Sequence, residues 1–64
     1  MNINLKYNVD DIIEATTGQQ FVVTRILVTI DDFGLVVEYH TNELDGDSGI
    51  IFINQNDARI KGEL

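Results

Sequence analysis

Apolar and polar positions change period several times along the 64 residues of this chain, and each change marks an element. Asn2 to Lys6 alternates, with Ile3 and Leu5 on one side, and predicts a short first strand. The following stretch, YNVDDIIEATTG, fits a helix over residues 9–17. Asn8 suits the N-cap, Asp10 and Asp11 fall in a first turn whose dipole favours anions, and Gly18 suits the position just past the end. At about 100° per residue, Val9, Ile12, Ile13 and Thr16 share one face, with Asp10, Asp11 and Glu14 opposite. The adjacent pair Ile12-Ile13 breaks strand alternation and favours the helix. A kinked strand, as in an SH3-like small β-barrel, is the alternative.

Gln20 to Ile30, QFVVTRILVTI, is rich in β-branched residues and predicts a long strand. Asp31–Gly34 reads as a hairpin loop, and Leu35 to Thr41 as the return strand. Ile30 then pairs with Leu35, Val28 with Val37, Ile26 with Tyr39 and Thr24 with Thr41. Cross-strand partners share a face, so this face is almost wholly apolar and forms the expected seat of the helix. Phe21, Val23, Arg25, Leu27 and Thr29 fall on the other face with Val36, Glu38 and His40. That face is too apolar to stay wet. Phe21, Val23, Leu27 and Val36 are therefore the expected dimer or interaction face.

A loop over Asn42–Gly49 leads to a further strand, Ile50 to Gln55. The tail NDARIKGEL fits either one helical turn capped by Asn56 or a short edge strand. The expected fold is one α+β domain over residues 1–64. It has an antiparallel sheet of four to five strands with one short helix, in the order β-α-β-β-β with an optional last strand. A chain this small buries only about 60% of its unfolded surface, and no cysteine is present to staple it. Self-association to a homodimer is the expected remedy.

Charge changes the picture more than any motif does. Eleven acids face four bases, a net charge of −7, which repels nucleic acid and argues against direct binding to it. No base lies between Ile26 and Ala58, where Asp31, Asp32, Glu38, Glu43, Asp45, Asp47 and Asp57 fall. Asp10, Asp11 and Glu14 add to these from the expected helix. In extended backbone, Glu43, Asp45 and Asp47 would share a side at about 6.5 Å spacing, comparable with successive charges along a nucleic-acid strand.

Other chemistry finds little footing. ELDGDSG, residues 43–49, fails the calcium-loop pattern in either register: counted from Asp45, positions 6 and 12 are Ile50 and Asn56. Counted from Glu43, they are Ser48 and Asn54. His40 is the single histidine, beside Glu38, with no set of ligands for a metal. The glycines match no phosphate-binding motif. Neither catalytic residues nor a metal or cofactor are expected. With no signal-like or membrane-length apolar run, a cytoplasmic protein without membrane contact is expected.

In size, acidity, lack of cysteine and β-rich pattern, the chain resembles the small DNA-mimic proteins that bacteriophages make against host DNA-binding proteins. The resemblance implies a non-enzymatic, homodimeric inhibitor. Its acids would occupy the DNA-binding surface of a basic host protein, such as a histone-like nucleoid protein. Asp10, Asp11, Glu14, Asp31, Asp32, Glu38, Glu43, Asp45 and Asp47 are the expected contact surface. The alternative is an interaction or assembly module whose acidity serves solubility only.

Overall fold

A computed structural model describes residues 4–44 and 50–64, and these form one open, five-stranded antiparallel sheet. The strands are β1 (Ile12–Ala15), β2 (Gln20–Asp31), β3 (Gly34–Glu43), β4 (Ile50–Asn54) and β5 (Ile60–Glu63). Their spatial order is β4-β3-β2-β1-β5, so the last strand returns to the free side of the first. The chain is all-β: the described residues contain no helix, which corrects the α+β expectation. The SH3-like barrel fares no better, because β4 and β5 remain unpaired edges and the sheet does not close.

The helix expected over residues 9–17 fails for local and tertiary reasons. Nine residues form a marginal helix unless tertiary packing supports them. The residues chosen as its start make a closed turn instead, in which Asp11 N–H donates to Asn8 O (3.1 Å) and Asn8 N–H donates to Asp11 Oδ2 (2.8 Å). Asp10 completes that turn at φ 76°, a conformation that Asp tolerates better than most residues. Ile12 then faces outward and Ile13 inward. The adjacent isoleucines thus fit a strand that buries one and half-exposes the other. Gly18 does need positive φ (90°), but in the turn joining β1 to β2, where its N–H donates to Ala15 O at 2.9 Å.

The β2–β3 hairpin has the register read from its pattern, with Ile30 opposite Leu35, Val28 opposite Val37 and Ile26 opposite Tyr39. Its turn is tighter than expected: Asp31 pairs with Gly34, leaving only Asp32 and Phe33 between. Nearer the core, the register shifts between Val23 and Arg25, so Thr24 is an extra residue with no cross-strand partner. An extra residue in a period-two strand reverses which face each following side chain takes. Phe21 and Val23 therefore join Tyr39, Val37 and Thr41 in the core, with Ile13, Ala15, Ile53 and Tyr7. The expected Thr24–Thr41 pair is replaced by Val23–Thr41.

One face of the sheet is thus the core, and the chain before β1 covers part of it. Lys6 N–H donates to the Tyr39 hydroxyl (2.9 Å), and Gln55 Nε2 donates to Asn4 O (2.7 Å). Tyr39 also hydrogen-bonds Gln55, and the buried Tyr7 ring meets Tyr39 edge-on with centroids 5.1 Å apart. Within the strand expected at residues 2–6, residues 4–6 form this strap rather than a ladder, and residues 1–3 lie outside the described ones. The tail resolves as the edge strand: β5 pairs antiparallel with β1.

Two outcomes test this account. Deleting Thr24 removes the extra residue and leaves Phe21 and Val23 on the core face in strict alternation with Ile26, so the variant is expected to keep a cooperative thermal transition by circular dichroism. Tyr39→Phe keeps the ring but removes the hydroxyl that holds the strap, and is expected to cost about 1–2 kcal/mol in urea unfolding.

Candidate protein-binding surface

With no helix to cover it, the far half of the β2–β3 hairpin projects from the rest of the sheet, in a molecule measuring 37 × 19 × 18 Å overall. β1 pairs with β2 only up to Val22, with Val23 bonded to the turn before it, and β4 pairs with β3 only from Glu38 onward. Beyond those points, among the described residues, the two long strands pair only with each other. The exposed apolar side chains gather there: Val28 is 40% exposed, Leu35 44%, Val36 49%, Ile30 59% and Phe33 98%. Phe33 occupies a two-residue turn, where small or polar residues are the rule. Its backbone N–H donates to Asp31 Oδ1 at 2.8 Å, and Asp32 precedes it, so two carboxylates flank an uncovered aromatic ring.

The residues expected to form an interaction face separate. Phe21 and Val23 are buried in the core, whereas Leu27 is half-buried and Val36 exposed on the opposite face of the hairpin. In the patch that the structure does assemble, Val28, Ile30 and Leu35 are residues that the pattern assigns to the helix-covered face, and Phe33 is one that it assigns to the hairpin loop. The available signal was Phe33, an aromatic placed in a turn.

The acids are dispersed. Asp31 and Asp32 stand at the hairpin end, while Glu38 lies on the outer sheet face with Oε2 3.2 Å from His40 Nε2. The His40 ring in turn packs over Phe52 at 4.4 Å, so this histidine belongs to a surface cluster of ordinary contacts. Glu43 accepts a hydrogen bond from Gln19 Nε2 at 3.1 Å. Asp45 and Asp47, with the rest of the glycine-containing loop, lie outside the described residues. Asp10, Asp11 and Glu14 form no common stripe, since the helix that would align them is absent. Glu14 instead pairs with Lys61 Nζ at 3.6 Å across β1 and β5. Asp11 hydrogen-bonds Glu63, which holds Asp11 below the usual carboxylate range and raises Glu63 above it.

A second feature lies between the sheet edges. An open groove of about 320 Å³ is lined by Ala15, Phe21, Ile51 and Ile60, with Glu43 and Arg59 at its rim. Arg59 bridges the two edges. Its Nε and Nη2 donate to Asp57 Oδ1 and Oδ2 (2.9 and 2.7 Å), and Nη2 also donates to Phe52 O in β4 (2.9 Å). The guanidinium hydrogen bond is the main reason that the Asp57 carboxyl drops to a pKa of about 2. Among the described residues, no three His, Cys, Asp or Glu side chains gather closely enough to hold a metal ion. The chain matches no protein-family model, no curated protein and no solved structure.

The Arg59 bridge has a pH signature. Because the folded-state pKa of Asp57 lies below its unfolded value of 3.8, the bridge stabilises fully above that value and fades as pH falls toward about 2. Asp57→Asn is expected to lower the urea midpoint at pH 7 and to flatten its decline across that acid range. Urea titrations of both proteins from pH 7 downward measure this.

Proposed function

We propose that the protein is a non-enzymatic binding module that docks on another protein through the projecting end of the β2–β3 hairpin. One observation carries this reading: Phe33 stands uncovered at the turn, between strands that expose Val28, Ile30, Leu35 and Val36. Fully burying one such side chain is worth about 1.5–3 kcal/mol, so a partner with a matching apolar pocket would gain most from the ring. Asp31 and Asp32 beside the ring, and the net charge of −7, suit a pocket rimmed by Lys and Arg. A basic DNA-binding protein would supply the Lys and Arg of such a rim.

The base-free run from Ile26 to Ala58 favours a second reading, in which the carboxylates themselves compete with DNA phosphates for that partner. The two readings share a partner class but differ in what holds it. In the docking reading, association is steered by charge and retained by the apolar tip. In the charge-mimic reading, carboxylates supply the attraction throughout, and binding falls steeply with salt.

Affinity capture from a bacterial lysate separates them. Immobilised wild type is expected to retain a basic protein that Phe33→Ser loses, while the solvent position of Phe33 leaves the fold intact by circular dichroism. Equal capture by Phe33→Ser would overturn docking by the tip. If DNA displaces the partner and Asp31→Asn/Asp32→Asn abolishes capture while Phe33→Ser does not, charge mimicry is the better account.

A further inference from the structure

The side of the hairpin, rather than its tip, carries a further inference. Sheet edges expose unpaired backbone groups, and natural proteins blunt them with charges, shortness or cover. Two edges here are blunted. β4 has its Phe52 carbonyl occupied by Arg59, and β5 is a four-residue strand carrying Lys61, Gly62 and Glu63. The β2 edge from Ile26 to Ile30 has no such protection. Among the described residues, nothing pairs with it beyond Val23 on the side away from β3.

The bonding phase of that edge follows from two independent anchors. Asp31 and Gly34 close a two-residue turn, so their backbone groups face each other, and those of Thr29 and Leu27 face β3 as well. At the other end, Val23 N–H and C=O are both used on the β1 side, by Asp11 O and Asp10 N–H, and the Thr24 bulge follows. Both anchors leave the N–H and C=O groups of Ile26, Val28 and Ile30 pointing outward.

We infer that the occupant of this edge is β2 of a second copy, paired antiparallel about a two-fold axis through Val28. This register sets Val28 against Val28 of the partner subunit and Ile26 against the partner's Ile30. It makes three hydrogen-bonded pairs, about six backbone bonds. Arg25 then lies across from the partner's Asp31, and Leu27 from the partner's Thr29. Arg25 is exposed and has no acidic partner among the described residues, so the second copy supplies one, twice per dimer. Sliding the strands by one bonding repeat in either direction loses both Arg25–Asp31 pairs. The valine and isoleucines of both copies form one apolar stripe on the core-side face, which continues the sheet across the axis. A net charge of −7 on each copy opposes association, but at ~0.15 M salt, with a screening length of ~8 Å, the distant part of that repulsion is muted.

This inference is independent of docking by the tip, because it uses backbone groups on the side of β2 and leaves Phe33 out. The chain has no cysteine, so single cysteines report the register directly. Val28→Cys is expected to oxidise to a covalent dimer, since paired α-carbons across the axis lie about 5.5 Å apart. Ile30→Cys should stay uncrosslinked, its two copies being about 13 Å apart. In sedimentation equilibrium, Val28→Pro should convert dimer to monomer, because it removes an outward N–H that the isolated fold does not use. Arg25→Asp should weaken dimerisation about tenfold, and Arg25→Asp/Asp31→Arg should restore it. A wild type that stays monomeric up to about 1 mM would overturn the inference. So would cross-linking through Cys at position 30 in place of 28, or a Val28→Pro variant that remains dimeric.

Discussion

One extra residue, Thr24, governs the arrangement of everything else. In a strand, alternation assigns each side chain to a face, and a single insertion reverses the assignment beyond it. Below Thr24, Phe21 and Val23 turn inward, and above it Ile26 does the same in register with Tyr39. Without that reversal, the core would lose two of its large side chains to solvent. The Thr24 hydroxyl donates to His40 O at 3.1 Å, so the bulged residue also finds a bond of its own. The bulge sits where β2 leaves the core and begins its exposed half, so the same residue marks the base of the arm.

An open sheet of this size needs something over its core face. Among the described residues, no single element provides it. The strap at residues 4–7, held by Tyr39 and Gln55, covers one part, and the Arg59 bridge draws β4 toward the approach to β5. Both devices are polar groups satisfying one another next to an apolar core, with no buried side-chain nitrogen or oxygen left unpartnered among the described residues. They act near the base of the hairpin and leave its far half bare. Exposure of the arm is therefore a consequence of where the cover ends.

The same geometry separates acids that lie close together along the chain. Along the chain the acids cluster, but folding distributes those described among the hairpin end, the outer face and the β1–β5 side. Some are engaged locally: Glu14 by Lys61, Asp57 by Arg59, and Glu63 by Asp11. Asp31 and Asp32 differ because they share their location with apolar surface.

Much of the hairpin was legible in the sequence. Period-two alternation is a local property, and the β-branched run from Gln20 to Ile30, with Gly34 near the turn, determined two long strands and the pairing from Ile26 to Leu35. Gly18 was likewise legible as a residue needing positive φ. What tertiary structure decided was everything requiring a partner distant in sequence. Residues 12–15 became a strand because β2 and β5 lie on either side of them, whereas a helix there would have had only its own few bonds. The face taken by Phe21 and Val23 depended on a bulge, which leaves no mark in hydrophobic periodicity. Whether Val28, Ile30 and Leu35 were core or surface depended on what covered them. Pattern reports that a side chain is apolar, but burial is set by neighbours that only the folded chain brings near.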